Sequence, residues 1–409
     1  MITRHLFLTG LLSFALISQA KKPEAAAASE TTTAPTPVAA AMQAYVDKHE
    51  LSGAVTLVWS GDKLTCHEAV GFQDLESKTP MSKDSLFWIA SMTKPITALG
   101  IMMLVEEGKL SIDDPVSKHL PEFRNQMLIK DKSAEQTVLV KPAREVTIKD
   151  LLTHTSGLIG TGPLESGALD VLTLKEAVLT YGLSPLQFQP GSQWSYCNPG
   201  INTLGRVIEV VSGEEYAKFL EKRLFKPLKM KNTTFWPSSG DLKKHLATSY
   251  KPTADGKGLE PTPVKYLTEP YSNKKRAPLA AGGLFSTAED LLSLYRMLLN
   301  GGELDGKRYI KAETLALMTQ NHTGDLKAGF AEGMGMGLGF QIVQTPTGVT
   351  GTLSSGTYGH GGAHGTQGWI DPVKKTIHIL LIQRAGLQPT GDASPIRQAF
   401  HEAFAGMGR

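Results

Sequence analysis

Residues 88–105 read WIASMTKPITALGIMMLV and contain the pattern S-x-x-K at Ser91-Met92-Thr93-Lys94. Pro95 fits the first turn of a helix, where backbone N–H groups have no intrahelical partner. The sequence therefore predicts a helix that begins near Ser91, with the Ser91 hydroxyl and the Lys94 amine on one face. Apolar residues follow on every side of this helix, which indicates that protein encloses it.

A serine hydroxyl is a poor nucleophile at neutral pH and needs a base within hydrogen-bond reach. Lys94 can be that base if burial keeps its amine neutral. A simpler interpretation makes Ser91 a helix N-cap and Lys94 a solvated charge, and this short pattern alone does not separate the two. Two further motifs favour the catalytic interpretation.

The second motif is Tyr-x-Asn in residues 188–200, FQPGSQWSYCNPG. Proline and glycine turn signals surround it, and an apolar periodic stretch follows, so we expect Tyr196 and Asn198 on a loop. A tyrosine whose pKa is lowered by a neighbouring ammonium can exchange a proton with the serine or the leaving group. An asparagine amide can bind a carbonyl and the lysine together. The same residues also fit a half-buried aromatic and a turn former.

The third motif lies in residues 358–372, YGHGGAHGTQGWIDP, just before the β-type run 376–382. Its glycines allow a strand edge to approach a ligand closely. His360 and His364 are four residues apart, but the surrounding glycines prevent the helix that would make this spacing a metal pair. We expect no metal and no cofactor.

Together, Ser91-x-x-Lys94, Tyr196-x-Asn198 and His360-Gly361-Gly362 resemble the motifs of the serine β-lactamase and penicillin-recognising superfamily. The resemblance is closest to its class C-like branch of esterases, D-aminopeptidases and DD-peptidase-like proteins. Three motifs in this order are far more specific than any one of them. The match covers about residues 41–405, and further similar stretches are 113–116, 120–123, 147–158 and 282–291.

The resemblance implies acyl transfer to water. Ser91 attacks an ester or amide carbonyl, and Lys94 and Tyr196 move the proton. The backbone N–H groups of Ser91 and Ala363 are expected to hold the oxyanion, and Asn198 to orient the acyl side. The expected substrate-binding residues are Asn198, His360, Gly361, Gly362 and Ala363.

Two positions depart from the pattern of the superfamily. His360 stands where many relatives carry the lysine of Lys-Thr-Gly, and a histidine is mostly neutral at pH 7, so we expect it to contact a polar or carboxylate group weakly. This weakens an antibiotic-hydrolysing interpretation. Cys197 stands where serine or alanine is more usual, but the middle residue of this motif need not face the substrate.

The predicted fold is α+β: an antiparallel sheet built from both chain ends and flanked by helices, with an inserted mainly helical lobe. Apolar runs on both sides of Gly61-Asp62 are typical of a β-hairpin, and strand-like segments return after Gly339. We expect an α/β lobe at about 41–95 and 280–405 and a helical lobe at about 96–279. The active site should lie in the cleft between them.

The first twenty residues combine Arg4, an apolar run and small residues before Lys21, as in a secretory signal peptide at 1–20. Residues 21–40, rich in Ala, Thr and Pro, are expected to be a flexible linker. The apolar run is short for spanning a bilayer, so we expect a periplasmic or secreted protein without stable membrane insertion after cleavage. In an exported chain Cys66 and Cys197 could pair, but a strand and a loop position argue against a disulfide.

The 409 residues carry a net charge of +3 with no basic block, which argues against a nucleic-acid partner. The sequence predicts a serine hydrolase that cleaves carboxylic esters or small amides. A D-amino-acid peptidase, DD-carboxypeptidase or weak β-lactamase is one alternative, and a slowly turning-over penicillin-binding or sensor protein is another. The substrate is expected to be a small ester, amide or peptide, and the sequence leaves the oligomeric state open.

For His154, in a Thr-His-Thr-Ser-Gly turn, we favour a structural hydrogen bond over catalysis.

Overall fold

The computed structural model describes residues 35–165, 167–238 and 240–407. The expected signal peptide at 1–20, and most of the expected linker, lie outside these residues. The helices are α1 (Pro37–Asp47), α2 (Thr93–Glu106), α3 (Val116–His119), α4 (Ile148–Thr153), α5 (Leu174–Leu183), α6 (Asn198–Ser212), α7 (Tyr216–Leu220), α8 (Gly240–Lys244), α9 (Ala288–Leu299), α10 (Ala312–Met318) and α11 (Pro395–Gly406). The strands are β1 (Gly53–Ser60), β2 (Lys63–Asp74), β3 (Thr79–Pro80), β4 (Phe87–Trp88), β5 (Leu128–Lys132), β6 (Thr137–Val140), β7 (Tyr250–Pro252), β8 (Leu259–Pro261), β9 (Phe285–Ser286), β10 (Glu303–Leu304), β11 (Lys307–Arg308), β12 (Met334–Met336), β13 (Gln341–Val343), β14 (Tyr358–Gly361), β15 (Gln367–Asp371) and β16 (Thr376–Leu381).

The main sheet joins strands from the two ends of the described chain in the order β12-β13-β14-β15-β16-β1-β2-β3, with antiparallel neighbours throughout. This confirms the predicted α+β fold. The predicted hairpin is also present, since β1 pairs with β2 around Gly61 and Asp62, which have φ of 56° and 64°. Two consecutive left-handed residues are what a two-residue hairpin of this kind requires.

The sheet separates two apolar cores. Val55 and Leu57 of β1 face the larger core, which also contains most of α2, whereas Ala54 and Val58 face a smaller core under α1 and α11. This alternation is the two-residue period of a strand with both faces covered. In α2 every residue from Thr93 to Leu104 is buried, which confirms the prediction of an enclosed helix.

Two stretches differ from the prediction. Residues 37–40, assigned to the linker, form the first turn of α1, because Thr36 Oγ1 accepts a hydrogen bond from Ala39 N (3.2 Å) and Pro37 occupies the first turn. The polar stretch 125–145, within the region predicted to be mainly helical, contains the hairpin β5–β6. Most of its residues are exposed, so its strands have no buried apolar face for the sequence to indicate.

None of the helices in the described ranges combines the length and the apolar character needed to cross a bilayer.

A buried chain of polar side chains fastens α11 to β16. Arg397 Nε donates to His401 Nε2 (3.3 Å), and the Nδ1 atoms of His401 and His378 lie 3.1 Å apart. Since Nε2 of His401 accepts, its Nδ1 carries the proton and donates to His378, whose Nε2 then donates to Thr376 Oγ1 (2.8 Å). Both histidines are therefore neutral in this arrangement. Burial lowers the pKa of His378 to about 4 and that of His401 well below its usual value.

We expect the free energy of unfolding to fall as the pH drops from 6.5 toward about 4, the interval between the usual histidine pKa and that of His378. Within it the unfolded chain binds protons that the folded chain does not, so acid favours unfolding. His378→Gln removes one such group and should lose less stability over this interval than the wild type, as measured by urea denaturation at several pH values. His49→Asn, at an exposed position, should follow the wild type. Parallel curves for His378→Gln and the wild type would contradict this account.

Candidate active site

Ser91 lies in a short 3₁₀ turn, Ala90–Met92, that leads directly into α2. Ala90 has φ of 46°, a left-handed conformation that is uncommon for a residue with a side chain and is found more often at functional sites. The turn is held by the connection between β14 and β15, because Thr366 Oγ1 donates to Ile89 O (3.3 Å) and Gly362 lies directly against this segment. A Cβ at Gly362 would be 2.7 Å from Ile89 O, so the close approach requires glycine.

Lys94 is the base candidate, and its amine lies 3.0 Å from Ser91 Oγ. The same Nζ donates to the backbone oxygen of Ala281 at 2.6 Å. Lys94 is 1% exposed, and this burial lowers its pKa well below the usual 10.5. A buried amine that loses its hydration favours the neutral form, which can accept a proton from the serine.

Tyr196 reaches the same oxygen from another side, with its hydroxyl donating to Ser91 Oγ at 2.7 Å. The Lys94 Nζ lies 4.6 Å from the centroid of the tyrosine ring. The expectation of a lowered tyrosine pKa is wrong, since burial raises the pKa of Tyr196 above its usual 10.0. A neutral Lys94 supplies no ammonium to stabilise a phenolate, so Tyr196 is a protonated donor in this state.

Asn198 is the first residue of α6, at the end of the predicted loop. Its side chain is half-buried and makes no hydrogen bond to Lys94 or to any other described residue. Asn202, one turn later, takes the position next to the lysine: its Oδ1 accepts from Ala281 N (2.9 Å), and Ala281 O receives Lys94. The sequence offered no motif for Asn202, which acts on Lys94 through the backbone of Ala281.

His154 and Cys197 stabilise the loop that carries Tyr196. His154 Nδ1 accepts from the backbone N–H of Cys197 (3.1 Å), and its ring packs 4.7 Å from that of Tyr196. This agrees with a structural role for His154, whose pKa burial holds well below its usual value. Cys197 is buried and caps α6 by accepting from Gly200 N, so it does not face the pocket, and Cys197 and Cys66 are both free thiols.

A pocket of about 350 Å³ opens in front of Ser91 and Tyr196. The third motif forms one wall, with His360, Gly361, Gly362 and Ala363 all lining it. Neither the Ser91 nor the Ala363 backbone N–H donates a hydrogen bond to another residue in the described part of the chain. Two free N–H groups beside a nucleophile are suited to bind an oxyanion.

His360 is buried, and its Nδ1 lies 2.7 Å from the Gly361 carbonyl oxygen, so Nδ1 carries the proton. Burial lowers the pKa of His360 to about 4, against the opposing effect of the Asp392 carboxylate. The imidazole is therefore neutral at pH 7 and presents a bare acceptor at Nε2. An acceptor is poorly suited to bind the substrate carboxylate that we expected it to contact.

Two parts of the pocket were not predicted from the sequence. Phe330 packs against Tyr196 with ring centroids 4.8 Å apart, and it follows a polar loop that carries no periodic signal. The segment 386–392 also lines the pocket and ends in the buried Asp392, whose carboxylate lies against Gly361. A single aspartate in a turn resembles many surface turn residues, so the sequence alone gave no reason to select it.

A sequence model of the Beta-lactamase family matches residues 38–402. The chain is 33% identical to Protein Rv1367c of Mycobacterium tuberculosis over 84% of this chain and 88% of that protein. It is 29% identical to Esterase EstB of Burkholderia gladioli over 90% of this chain and 95% of the esterase. The solved structure of EstCE1, described as a hydrolase with promiscuous acyltransferase activity, superposes with a TM-score of 0.76 at 26% identity and covers 90% of this chain and 97% of its own.

We expect kcat/KM for a neutral ester to rise with pH on a single limb whose midpoint lies well below 10.5, the usual lysine pKa. Lys94 must be neutral to accept the serine proton, whereas Tyr196 keeps its proton because burial raises its pKa. Above the rising limb, kcat/KM should therefore stay constant up to about pH 9. A stopped-assay series with p-nitrophenyl acetate, corrected for spontaneous hydrolysis, measures it.

His360→Gln is the matched control, since His360 has a pKa of about 4 and cannot produce a limb near neutral pH. This variant can change the height of the profile but should not move its midpoint. A midpoint that moves with His360→Gln, or one close to 10.5, would remove Lys94 as the base.

Proposed function

The chain belongs to the β-lactamase family, and we propose that it is a serine hydrolase that cleaves carboxylic esters or small amides through an acyl-enzyme on Ser91. The observation that carries this proposal is the convergence of Lys94 Nζ and Tyr196 OH on Ser91 Oγ at 3.0 and 2.7 Å. A hydroxyl that contacts a neutral amine and a protonated phenol has both a base and an acid at hand.

In the first half-reaction, Ser91 Oγ attacks the carbonyl carbon while its proton moves to the Lys94 amine. The N–H groups of Ser91 and Ala363 stabilise the resulting oxyanion. Tyr196 then donates its proton to the leaving oxygen or nitrogen as the bond to the acyl carbon breaks, and the Lys94 ammonium returns a proton to Tyr196. In the second half-reaction, water attacks the acyl carbon and gives a proton to Lys94. As the bond between the acyl carbon and Ser91 Oγ breaks, the Lys94 ammonium returns this proton to Ser91 Oγ, and the acid is released.

Esters are favoured over β-lactams as substrates. EstB and EstCE1, to which this chain is similar, are described as an esterase and a hydrolase. The neutral His360 provides no cation for the carboxylate that β-lactams carry, and Asp392 adds negative charge on the same side of the pocket, against Gly361. Penicillin-type recognition is therefore electrostatically unfavourable in this pocket.

Purified protein should hydrolyse p-nitrophenyl acetate and butyrate with higher kcat/KM than a chromogenic cephalosporin or a D-Ala-D-Ala peptide. Ser91→Ala should reduce turnover on the order of a thousandfold, since it removes the hydroxyl that contacts both Lys94 and Tyr196. Ser195→Ala, which removes an exposed hydroxyl next to Tyr196, should retain activity. A fluorophosphonate probe should label Ser91, as shown by peptide mapping.

An adduct on another residue, or an active Ser91→Ala enzyme, would overturn the proposed mechanism. Preference for the D-Ala-D-Ala peptide would support a peptidase instead. A burst of product without steady turnover would support a slowly acylated penicillin-binding or sensor protein.

We also propose that the protein is exported to the periplasm or the medium. Support comes from Arg4, the apolar run 6–17 and the small residues Ser18 and Ala20. Expression of the full chain in a bacterial host should give a product whose N-terminal sequence begins near Lys21, and Ala20→Arg should block this cleavage. Full-length protein that stays in the cytoplasmic fraction would contradict export.

A further inference from the structure

Asp392 is a buried carboxylate in the wall of the Ser91 pocket. Its side chain is 7% exposed and lines the same cavity as Ser91, Tyr196 and His360. It lies in the short turn Gly391–Ala393, immediately before α11. Nothing in the proposed catalytic steps uses this charge.

Arg397 fixes the backbone of Asp392 but does not pair with its carboxylate. The guanidinium donates from Nη1 to the Asp392 backbone oxygen (2.6 Å) and from Nε to His401, and it stacks on the Trp369 ring at 4.1 Å. No ion pair to the Asp392 carboxylate occurs among the described residues. Arg397 therefore fixes the position of the Asp392 backbone, whereas the Asp392 carboxylate has no ion pair to a described residue and can bind a ligand.

The carboxylate oxygens are poorly satisfied. Asp392 Oδ2 accepts only a long hydrogen bond from Gln341 Nε2 (3.3 Å), and Oδ1 has no partner in the described chain. Two more buried acceptors, His360 Nε2 and Gln341 Oε1, also lack a partner, as do two donors, Gln367 Nε2 and Arg397 Nη2. A buried charge with so few hydrogen bonds is costly unless a ligand completes it.

Gly361 of the third motif leaves space for this carboxylate. A Cβ at position 361 would lie 1.8 Å from Asp392 Oδ1 and 2.7 Å from Gln367 Nε2, so any side chain there would displace the aspartate. The negative charge of Asp392 thus lies against the end of β14, where we expected a substrate carboxylate to bind.

We propose that Asp392 makes this pocket selective for substrates that present an ammonium group to the end of β14, and that it rejects substrates with a carboxylate there. The inference rests on the proposed function and names its substrate class. An ammonium has three N–H donors for the unpartnered acceptors, and a bond from an ammonium to a carboxylate is charge-assisted. A substrate carboxylate would meet like charge in a partly desolvated cleft.

Three p-nitrophenyl benzoates with a para aminomethyl, ethyl or carboxymethyl group test this charge selectivity. They share one leaving group, and the rigid ring prevents the end group from attacking its own ester. In the wild type, kcat/KM should be about tenfold higher for the ammonium ester than for the ethyl ester, and about tenfold lower for the carboxylate ester. Asp392→Asn keeps the size of the side chain and should bring all three values within about threefold.

Asp305→Asn is the control, because it makes the same change in net charge at an exposed turn outside the pocket and should retain the wild-type order. Equal values for the three esters in the wild type, or an unchanged order in Asp392→Asn, would overturn the inference. Circular dichroism of each variant checks that the fold is intact.

A binding measurement separates this inference from the proposed hydrolysis. Calorimetry with Ser91→Ala protein should show tighter binding of 4-(aminomethyl)benzamide than of 4-ethylbenzamide, and Asp392→Asn in the same background should abolish the difference. If the esters are not hydrolysed but this difference is found, the proposed function fails and the ammonium site stands. If the esters are hydrolysed without any charge preference, the ammonium site fails alone.

Discussion

The structure depends on one buried amine. Lys94 can accept a proton from Ser91 only while it is neutral, and the enclosure of α2 on every side favours the neutral form by lowering the pKa of Lys94 well below its usual value. A charged lysine at this depth would lose several kcal/mol of hydration, so burial selects the uncharged form. The apolar character of α2 on all faces is thus part of the chemistry: a helix with one solvated face would leave Lys94 protonated and unable to act as a base.

The Lys94 amine must also be held close to Ser91 Oγ, and two separate parts of the chain fix the positions of these two groups. From α6, Asn202 holds the backbone of Ala281, whose carbonyl oxygen accepts from Lys94 Nζ at 2.6 Å. From the sheet, Thr366 and Gly362 hold the turn that carries Ser91 in a conformation that Ala90 adopts at φ of 46°. Since the nucleophile and its base are fixed by different elements, the geometry of the site depends on how α6 and the connection between β14 and β15 pack against the start of α2.

The sequence predicted those features that local patterns encode. The motif residues Ser91, Lys94 and Tyr196 come together, and the period-two strands at both ends predict the sheet. Phe330, Asn202 and Asp392 were not predicted from the sequence, because each reaches the site only through tertiary packing and none belongs to a periodic or recognisable motif. The expected lowering of the Tyr196 pKa was wrong for a related reason: spacing indicates which groups are close, but the protonation state depends on burial, which raises the pKa of Tyr196 and lowers that of Lys94.

The charge of Asp392 also affects the proton-transfer roles proposed for Lys94 and Tyr196. Burial is the main reason that Tyr196 holds its proton, and the Asp392 carboxylate acts in the same direction, because negative charge nearby disfavours a phenolate. Both effects support the proposed roles, in which Lys94 is the base for Ser91 and Tyr196 is the donor to the leaving group. An ammonium bound at Asp392 would cancel part of that negative charge and make the Tyr196 proton easier to release when the leaving group departs. Substrate recognition and proton donation would then be coupled through a single carboxylate, although it touches neither the nucleophile nor the scissile bond.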